Sequence, residues 1–150
     1  MGFNIVLVEP EIPNNTGNIG RLALATGCRL HLVRPFGFEL SSSRLKRAGL
    51  DYWQHLEVLE YNGLDHFMDI HQNKKLALLS SHGAKPHWEI TYEEDMFLIF
   101  GKESVGLPKK LLDTFSSDVF KIPMYSEHIR SLNLANAVAI TVYEGLKGLR

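Results

Sequence analysis

The chain has 150 residues, of which 45% are hydrophobic and 22% charged, and a formal net charge of -1. That length suits one domain with a sizeable core, and the composition excludes a disordered chain. A charge so near zero excludes a globally basic nucleic-acid binder, so any contact with RNA or DNA must come from local patches. The longest apolar runs, such as Met96 to Phe100, are far short of the roughly 20 residues of a membrane helix. The opening "MGFNIVLVEP" has neither the basic region nor the cleavage site of a signal peptide, and its sixth residue is Val where a myristoylation signal needs Ser or Thr. A cytoplasmic protein is therefore expected. The single Cys28 excludes an intramolecular disulfide and reads as a core residue.

In chain order, "FNIVLV" (Phe3 to Val8) predicts a strand, and the prolines of "PEIPNN" predict a loop after it. A helix is expected from Asn14 or Asn15 to Gly27, with Ile19, Leu22, Ala23 and Thr26 on its buried face. "RLHLV" (Arg29 to Val33) predicts the next strand, so the chain opens as a βαβ unit, the signature of a parallel sheet. A basic helix is expected over Ser41 to Leu50, a strand near "LEVLEY" and a helix near "LDHFMDIH". "KLALLSS", "DMFLIF" and "DVFKIPM" are continuous apolar runs, as strands covered on both faces require. The last segment predicts a helix capped by Ser131, with Leu132, Ala135, Ala139, Val142 and Leu146 on one face. No linker or repeat divides the chain, which predicts a single α/β domain over 1–150.

Gly101 and Gly106 in "FGKESVGLP" have the spacing of a Walker A loop, yet Leu107 and Pro108 stand where that motif needs Lys and Ser or Thr. The first βα turn, "EPEIPNNTGNIG", lacks the dinucleotide fingerprint, and Lys102 replaces the first glycine of a nucleophile elbow around Ser104. Histidine pairs such as His66 and His71 sit five apart, off a common helical face, and read as surface or hydrogen-bonded groups. What remains is three loops, each after a strand: Pro13 to Arg21, Gly101 to Pro108, and Ile122 to Ala137. Loops at the carboxyl ends of parallel strands converge on one crevice. Singly, each is explained as a turn with a helix cap; together, Asn15, Arg21, Glu103, Arg130, Ser131, Asn133 and Asn136 point to a polar site.

"NTGNIGR", "FGKESVGLP" and "IPMYSEHIRSLNLANAVAITVYE" resemble, in order, the three signature motifs of the SPOUT class of RNA ribose 2'-O-methyltransferases. "IVLVEPEIPNNTGNIGRLALATG" and "RLKRAGLDYW" are similar to its TrmL-like branch, which methylates the wobble nucleotide, cytidine or uridine, of tRNA. The resemblance implies an α/β fold with a mostly parallel sheet, helices on both faces and a C-terminal deep trefoil knot. It also implies S-adenosylmethionine as cofactor, no metal, tRNA as substrate, and a homodimer whose active site is shared between subunits. Two alternatives stay open: methylation of another RNA such as rRNA, and a knotted RNA-binding module without catalysis.

Carried over by position, the resemblance implies catalytic roles for Arg21, Asn15, Glu103, Ser131 and Asn133. It implies cofactor binding by Leu79, Ser80, Gly101, Glu103, Gly106, Ile122, Met124, Ser131, Leu132 and Asn136. Leu79, Ile122, Met124 and Leu132 either wall the adenine or simply pack in the core. Arg21 either binds a phosphate and stabilises a developing alkoxide or forms a helix-surface ion pair. Arg21, Arg44, Lys46, Arg47 and Tyr143 are the expected RNA contacts, with Lys109 and Lys110 as further local charge and Tyr52 or Trp53 to stack a base. Solvated helix faces explain the charges equally well, and Tyr143 is equally expected as a half-buried core residue.

Overall fold

A computed structural model describes residues 2–40 and 52–149. The expected helix at 41–50, with Arg44, Lys46 and Arg47, lies outside them. The strands are β1 (Asn4–Val8), β2 (Arg29–Val33), β3 (Val58–Tyr61), β4 (Leu76–Leu79), β5 (Lys85–Pro86), β6 (Phe97–Phe100) and β7 (Val119–Lys121). The helices are α1 (Pro13–Thr26), α2 (Leu64–His71), α3 (Lys109–Thr114) and α4 (Leu134–Leu149).

The strands form one sheet in the order β3-β2-β1-β6-β4-β7-β5. Every strand pairing is parallel, from Val33 beside Tyr61 at one edge to Pro86 beside Lys121 at the other. Alternate β1 residues face opposite layers. Ile5 and Leu7 pack with Ile19 and Ala23 of α1 and Val138 and Val142 of α4, while Val6 and Val8 pack with Phe67 of α2 and Leu111 of α3. Both faces are thus covered, which is why the strand sequences are continuously apolar.

The sheet edge dictates what is juxtaposed. β1, β6, β4 and β7 are consecutive neighbours, with Leu7 beside Phe100, Phe100 beside Leu79, and Leu79 beside Phe120. The loops that leave their carboxyl ends therefore share one edge, although they are far apart in sequence.

Two helix starts differ from the sequence-based expectation. α1 begins at Pro13, not at Asn14 or Asn15. Proline lacks the N–H that the first helical position would leave unsatisfied, so "PEIP" leads straight into the helix. Thr26 and Leu22 are half-buried rather than fully buried. α4 begins at Leu134, three residues after Ser131, so Ser131 is not at its cap position. Asn133 stands there instead: its carbonyl accepts from Ala137 N (3.0 Å) and its Oδ1 from Asn136 N (3.2 Å). The buried stripe of α4 is Leu134, Val138, Thr141, Val142 and Gly145, rotated from the expected one. Gly145 permits that rotation, because a Cβ there would meet Tyr92 Cδ1 at 2.5 Å and Phe3 Cζ at 2.6 Å. Ala135 and Leu146 pack from the side, and Ala139 lines a groove between α1 and α4.

Candidate active site

Glycine closes the loop after β6. Gly106 lies at φ 74°, and its amide donates to Lys102 O at 3.0 Å, which folds the loop back on itself. A Cβ on Gly101 would collide with backbone atoms of Gly106 and Leu107, so only glycine allows this close return.

Carboxylates tie this turn to the β1–α1 loop in both directions. Glu103 accepts from the amides of Glu11 (2.8 Å) and Ile12 (3.0 Å) and from Asn15 Nδ2 (3.1 Å). In return, Ser104 donates its amide (2.8 Å) and its hydroxyl (3.0 Å) to Glu11. Those two bonds hold the Glu11 carboxyl below its ordinary value, with a smaller contribution from Lys102. Lys102 Nζ lies 3.0 Å from Glu9 Oε1, and that hydrogen bond pushes the ammonium up. Glu9 itself has φ 54°, an uncommon conformation for a residue with a side chain.

The third loop joins through Asn133, whose Nδ2 donates to Asn15 Oδ1 at 3.1 Å. Pro13 to Arg21, expected as a loop, is the first part of α1, so Asn15, Glu103 and Asn133 form one chain of hydrogen bonds from α1 through the β6 loop to the start of α4, and Asn15 is only 6% exposed. An open groove of about 620 Å³ begins there, lined by Asn15, Asn18, Arg21, Leu22, Asn133 and Asn136 among others. Among the described residues Arg21 has no carboxylate partner, and its guanidinium lies over the Tyr52 ring at 5.3 Å.

The remaining expected residues divide. Ser80 stays at the edge, its amide bonded to Phe120 O (2.9 Å) and its Oγ accepting from His82 N (3.1 Å). Leu79 packs in the core beneath α1 and α4, whereas Ile122, Met124 and Leu132 are half-buried and belong to neither core cluster. Ser131 is exposed on the loop before α4, and Tyr143 is 56% exposed rather than half-buried in the core. Lys109 pairs with Asp113 at 2.8 Å within α3. The Tyr52 ring lies beside the Arg21 guanidinium. Sequence reasoning missed Glu11, Lys102 and Ser104, whose partners lie in another loop.

Comparison with known proteins decides the family. The profile of the SpoU rRNA Methylase family matches residues 2–143. The chain belongs to the SpoU methylase family. Among the relatives of this SpoU methylase is the tRNA (cytidine(34)-2'-O)-methyltransferase of Saccharophagus degradans, 47% identical over 98% of this chain and 96% of that one. The protein of the same name from Escherichia coli (strain K12) is 42% identical, over 98% and 94%. A solved structure described as "Structural insights into the 2-OH methylation of C/U34 on tRNA" superposes with a TM-score of 0.93 at 42% identity, over 98% and 95% of the two chains. A Streptomyces viridochromogenes SpoU methyltransferase solved in complex with AdoMet shares the fold of this SpoU methylase, at a TM-score of 0.87 and 22% identity over 99% and 58%.

Proposed function

We propose that this SpoU methylase transfers a methyl group from S-adenosylmethionine to the ribose 2'-hydroxyl of the wobble nucleotide, cytidine or uridine, of tRNA. The observation that carries this reading is the Asn133–Asn15–Glu103 hydrogen-bond chain, with Arg21, which has no carboxylate partner among the described residues, beside it in the same groove. The activities and the tRNA position named for relatives 42–47% identical over nearly the whole chain support it. The intact chain of polar contacts speaks against a module without catalysis.

The residues at the sheet edge suit the cofactor. Apart from the turn at Glu127 and His128 and the bond from His128 N to Ser126 Oγ at 3.2 Å, the backbone from Met124 to Leu132 makes no hydrogen bond among the described residues. Its other amides and carbonyls are available to an adenosine, and the half-buried Ile122, Met124 and Leu132 supply apolar walls. Gly101 and Gly106, with Ser80, Glu103, Ser131 and Asn136, complete the proposed cofactor set. When bound, S-adenosylmethionine supplies an electrophilic methyl group.

The chain's own residues then have defined tasks. The Arg21 guanidinium binds phosphate and stabilises the negative charge that develops on the 2'-oxygen as its proton passes to water. Glu103 and Glu11 lock the β6 loop to α1, so the groups that hold cofactor and nucleotide keep a common geometry. Asn133 relays that order to α4.

We further infer one methyltransferase domain whose C-terminal segment is threaded as a deep trefoil knot. Family membership and the non-sequential β1-β6-β4-β7 order support this. The exposed Leu24, Ile140 and Tyr143 on α1 and α4 favour a homodimer that shares its active sites. Among the described residues no helix is long and apolar enough to cross a membrane, and a tRNA substrate favours the cytoplasm.

Radiolabelled methyl transfer to total tRNA from cells lacking this protein, followed by nucleoside mapping, tests the reading. Label is expected in a ribose-methylated wobble nucleotide. Label transferred to rRNA but not to tRNA would replace it with the rRNA reading.

A further inference from the structure

Arg21 and Tyr52 are brought together by a lock on the surface of α1. At Gly20 a Cβ would collide with the six-membered ring of the Trp53 indole, so only glycine leaves room for it. Leu56, one turn further along, lies 3.1 Å from the same point, and Trp53 and Leu56 both pack against the main core. The short 3-10 turn Trp53–His55 is thereby seated on α1, and Tyr52 immediately precedes it. Tyr52 N-caps that turn with its carbonyl accepting from His55 N at 2.9 Å, so the backbone that carries the ring is held as well. The ring then lies under the Arg21 guanidinium, 5.3 Å from Cζ to the centroid.

A guanidinium held over an aromatic ring rather than by a carboxylate keeps its N–H donors available to a planar or tetrahedral anion. A carboxylate partner would instead consume those donors, and among the described residues Arg21 has none. A long side chain on an exposed helix face also loses less rotamer freedom on binding when one of its faces is already held.

We propose that Tyr52 is a positioning residue for Arg21, holding the guanidinium at the mouth of the groove so that its N–H edge meets the RNA. The proposal rests on the role given to Arg21 above. It assigns to Tyr52 a task different from base stacking.

The test measures tRNA methylation kinetics, S-adenosylmethionine binding by calorimetry and thermal melting for Arg21→Ala, Tyr52→Phe, Tyr52→Leu, Tyr52→Met and the Arg21→Ala/Tyr52→Leu double variant. Tyr52→Leu is expected to lower kcat/KM for tRNA by about tenfold, the scale of a partly desolvated cation–π contact, and Tyr52→Phe by less than about twofold. Cofactor affinity is expected to stay at the wild-type value in all of them. In the Arg21→Ala background, Tyr52→Leu is expected to cause no further loss, because the ring then has no guanidinium to hold. Tyr52→Met, close in bulk but without a ring face, separates the ring from mere volume and is expected to follow Tyr52→Leu. Full activity of Tyr52→Leu beside an impaired Arg21→Ala would overturn the positioning role alone. An additive loss in the double variant would also overturn it, in favour of direct stacking on a base. Full activity of Arg21→Ala would overturn both the role of Arg21 and this proposal.

Discussion

Asn133 Nδ2 donates to Asn15 Oδ1 at 3.1 Å across 118 positions of sequence, while Asn133 Oδ1 accepts from Asn136 N at 3.2 Å. One carboxamide therefore caps α4 and joins it to α1, the helix that carries Arg21. The two tasks are separable by substitution. Asn133→Ser keeps a good cap and is expected to melt within a few degrees of wild type while losing most tRNA methylation. Asn133→Ala loses both and is expected to be less stable by about 1 kcal/mol, the usual value of an N-cap. Melting curves beside methylation rates check this, and equal activity of Asn133→Ser and wild type would remove the cross-loop bond from the mechanism.

Gly101 and Gly106 differ in why they are glycine. A Cβ on Gly101 would meet backbone, with Gly106 Cα at 2.6 Å, whereas one on Gly106 would meet nothing within 4 Å and suffer only from φ 74°. Gly101→Ala is expected to open the turn and abolish cofactor binding, with the protein still folded. Gly106→Ala is expected to cost about 1 kcal/mol of strain and weaken binding by about tenfold or less. Calorimetric titration of S-adenosylmethionine into both variants makes the comparison.

His31 predicts a pH dependence unrelated to catalysis. Asn4 Nδ2 donates to Asp95 O (2.7 Å), so Asn4 Oδ1 faces His31 Nε2 (2.8 Å), which must carry the hydrogen. The neutral ring then accepts at Nδ1 from the Tyr61 hydroxyl (2.8 Å), whose oxygen accepts from His71 Nε2 (3.0 Å). Burial, then the positive potentials of His71 and Arg29, lower the His31 pKa to about 4. The unfolded chain takes up the proton first, near 6.5, so the stabilisation is complete above that pH and is lost as pH falls from 6.5 towards 4. The loss is of order 3 kcal/mol. Urea denaturation across that range is expected to show it, and His31→Gln, though less stable at neutral pH, to flatten the slope.

α4 turns Ile140 (40% exposed) and Tyr143 (56% exposed) outward. If this face meets a second copy, Ile140→Asp places a charge in an apolar contact and is expected to produce monomers with little or no tRNA methylation. Sedimentation equilibrium on wild type and variant measures it. A wild-type chain monomeric at micromolar concentration would end the dimer proposal.

The polar site was legible residue by residue more than contact by contact. Asn15, Glu103 and Asn133 stand out because amides and a carboxylate recur at loop starts after apolar runs. The Glu11–Ser104 bonds did not stand out, since they link residues 93 positions apart and a lone glutamate between two prolines has no periodicity to betray it. Tyr52 was visible as an aromatic beside basic residues, which suggests a base-stacking ring; that the seating of Trp53 on Gly20 brings this ring to Arg21 was not visible.

From the sequence alone came the parallel α/β class, because continuous apolar strands demand cover on both faces, and the three polar segments, because each follows such a strand, although the first of them is the start of α1 rather than a loop. Only the tertiary structure decided that these segments share one edge. Strand order is set by which crossovers pack, and no local propensity encodes that β6 lies between β1 and β4. The start and buried face of α4 were settled at the same level. Ser131 and Asn133 are both good caps by composition, and the bond to Asn15 together with the space left by Gly145 selected between them.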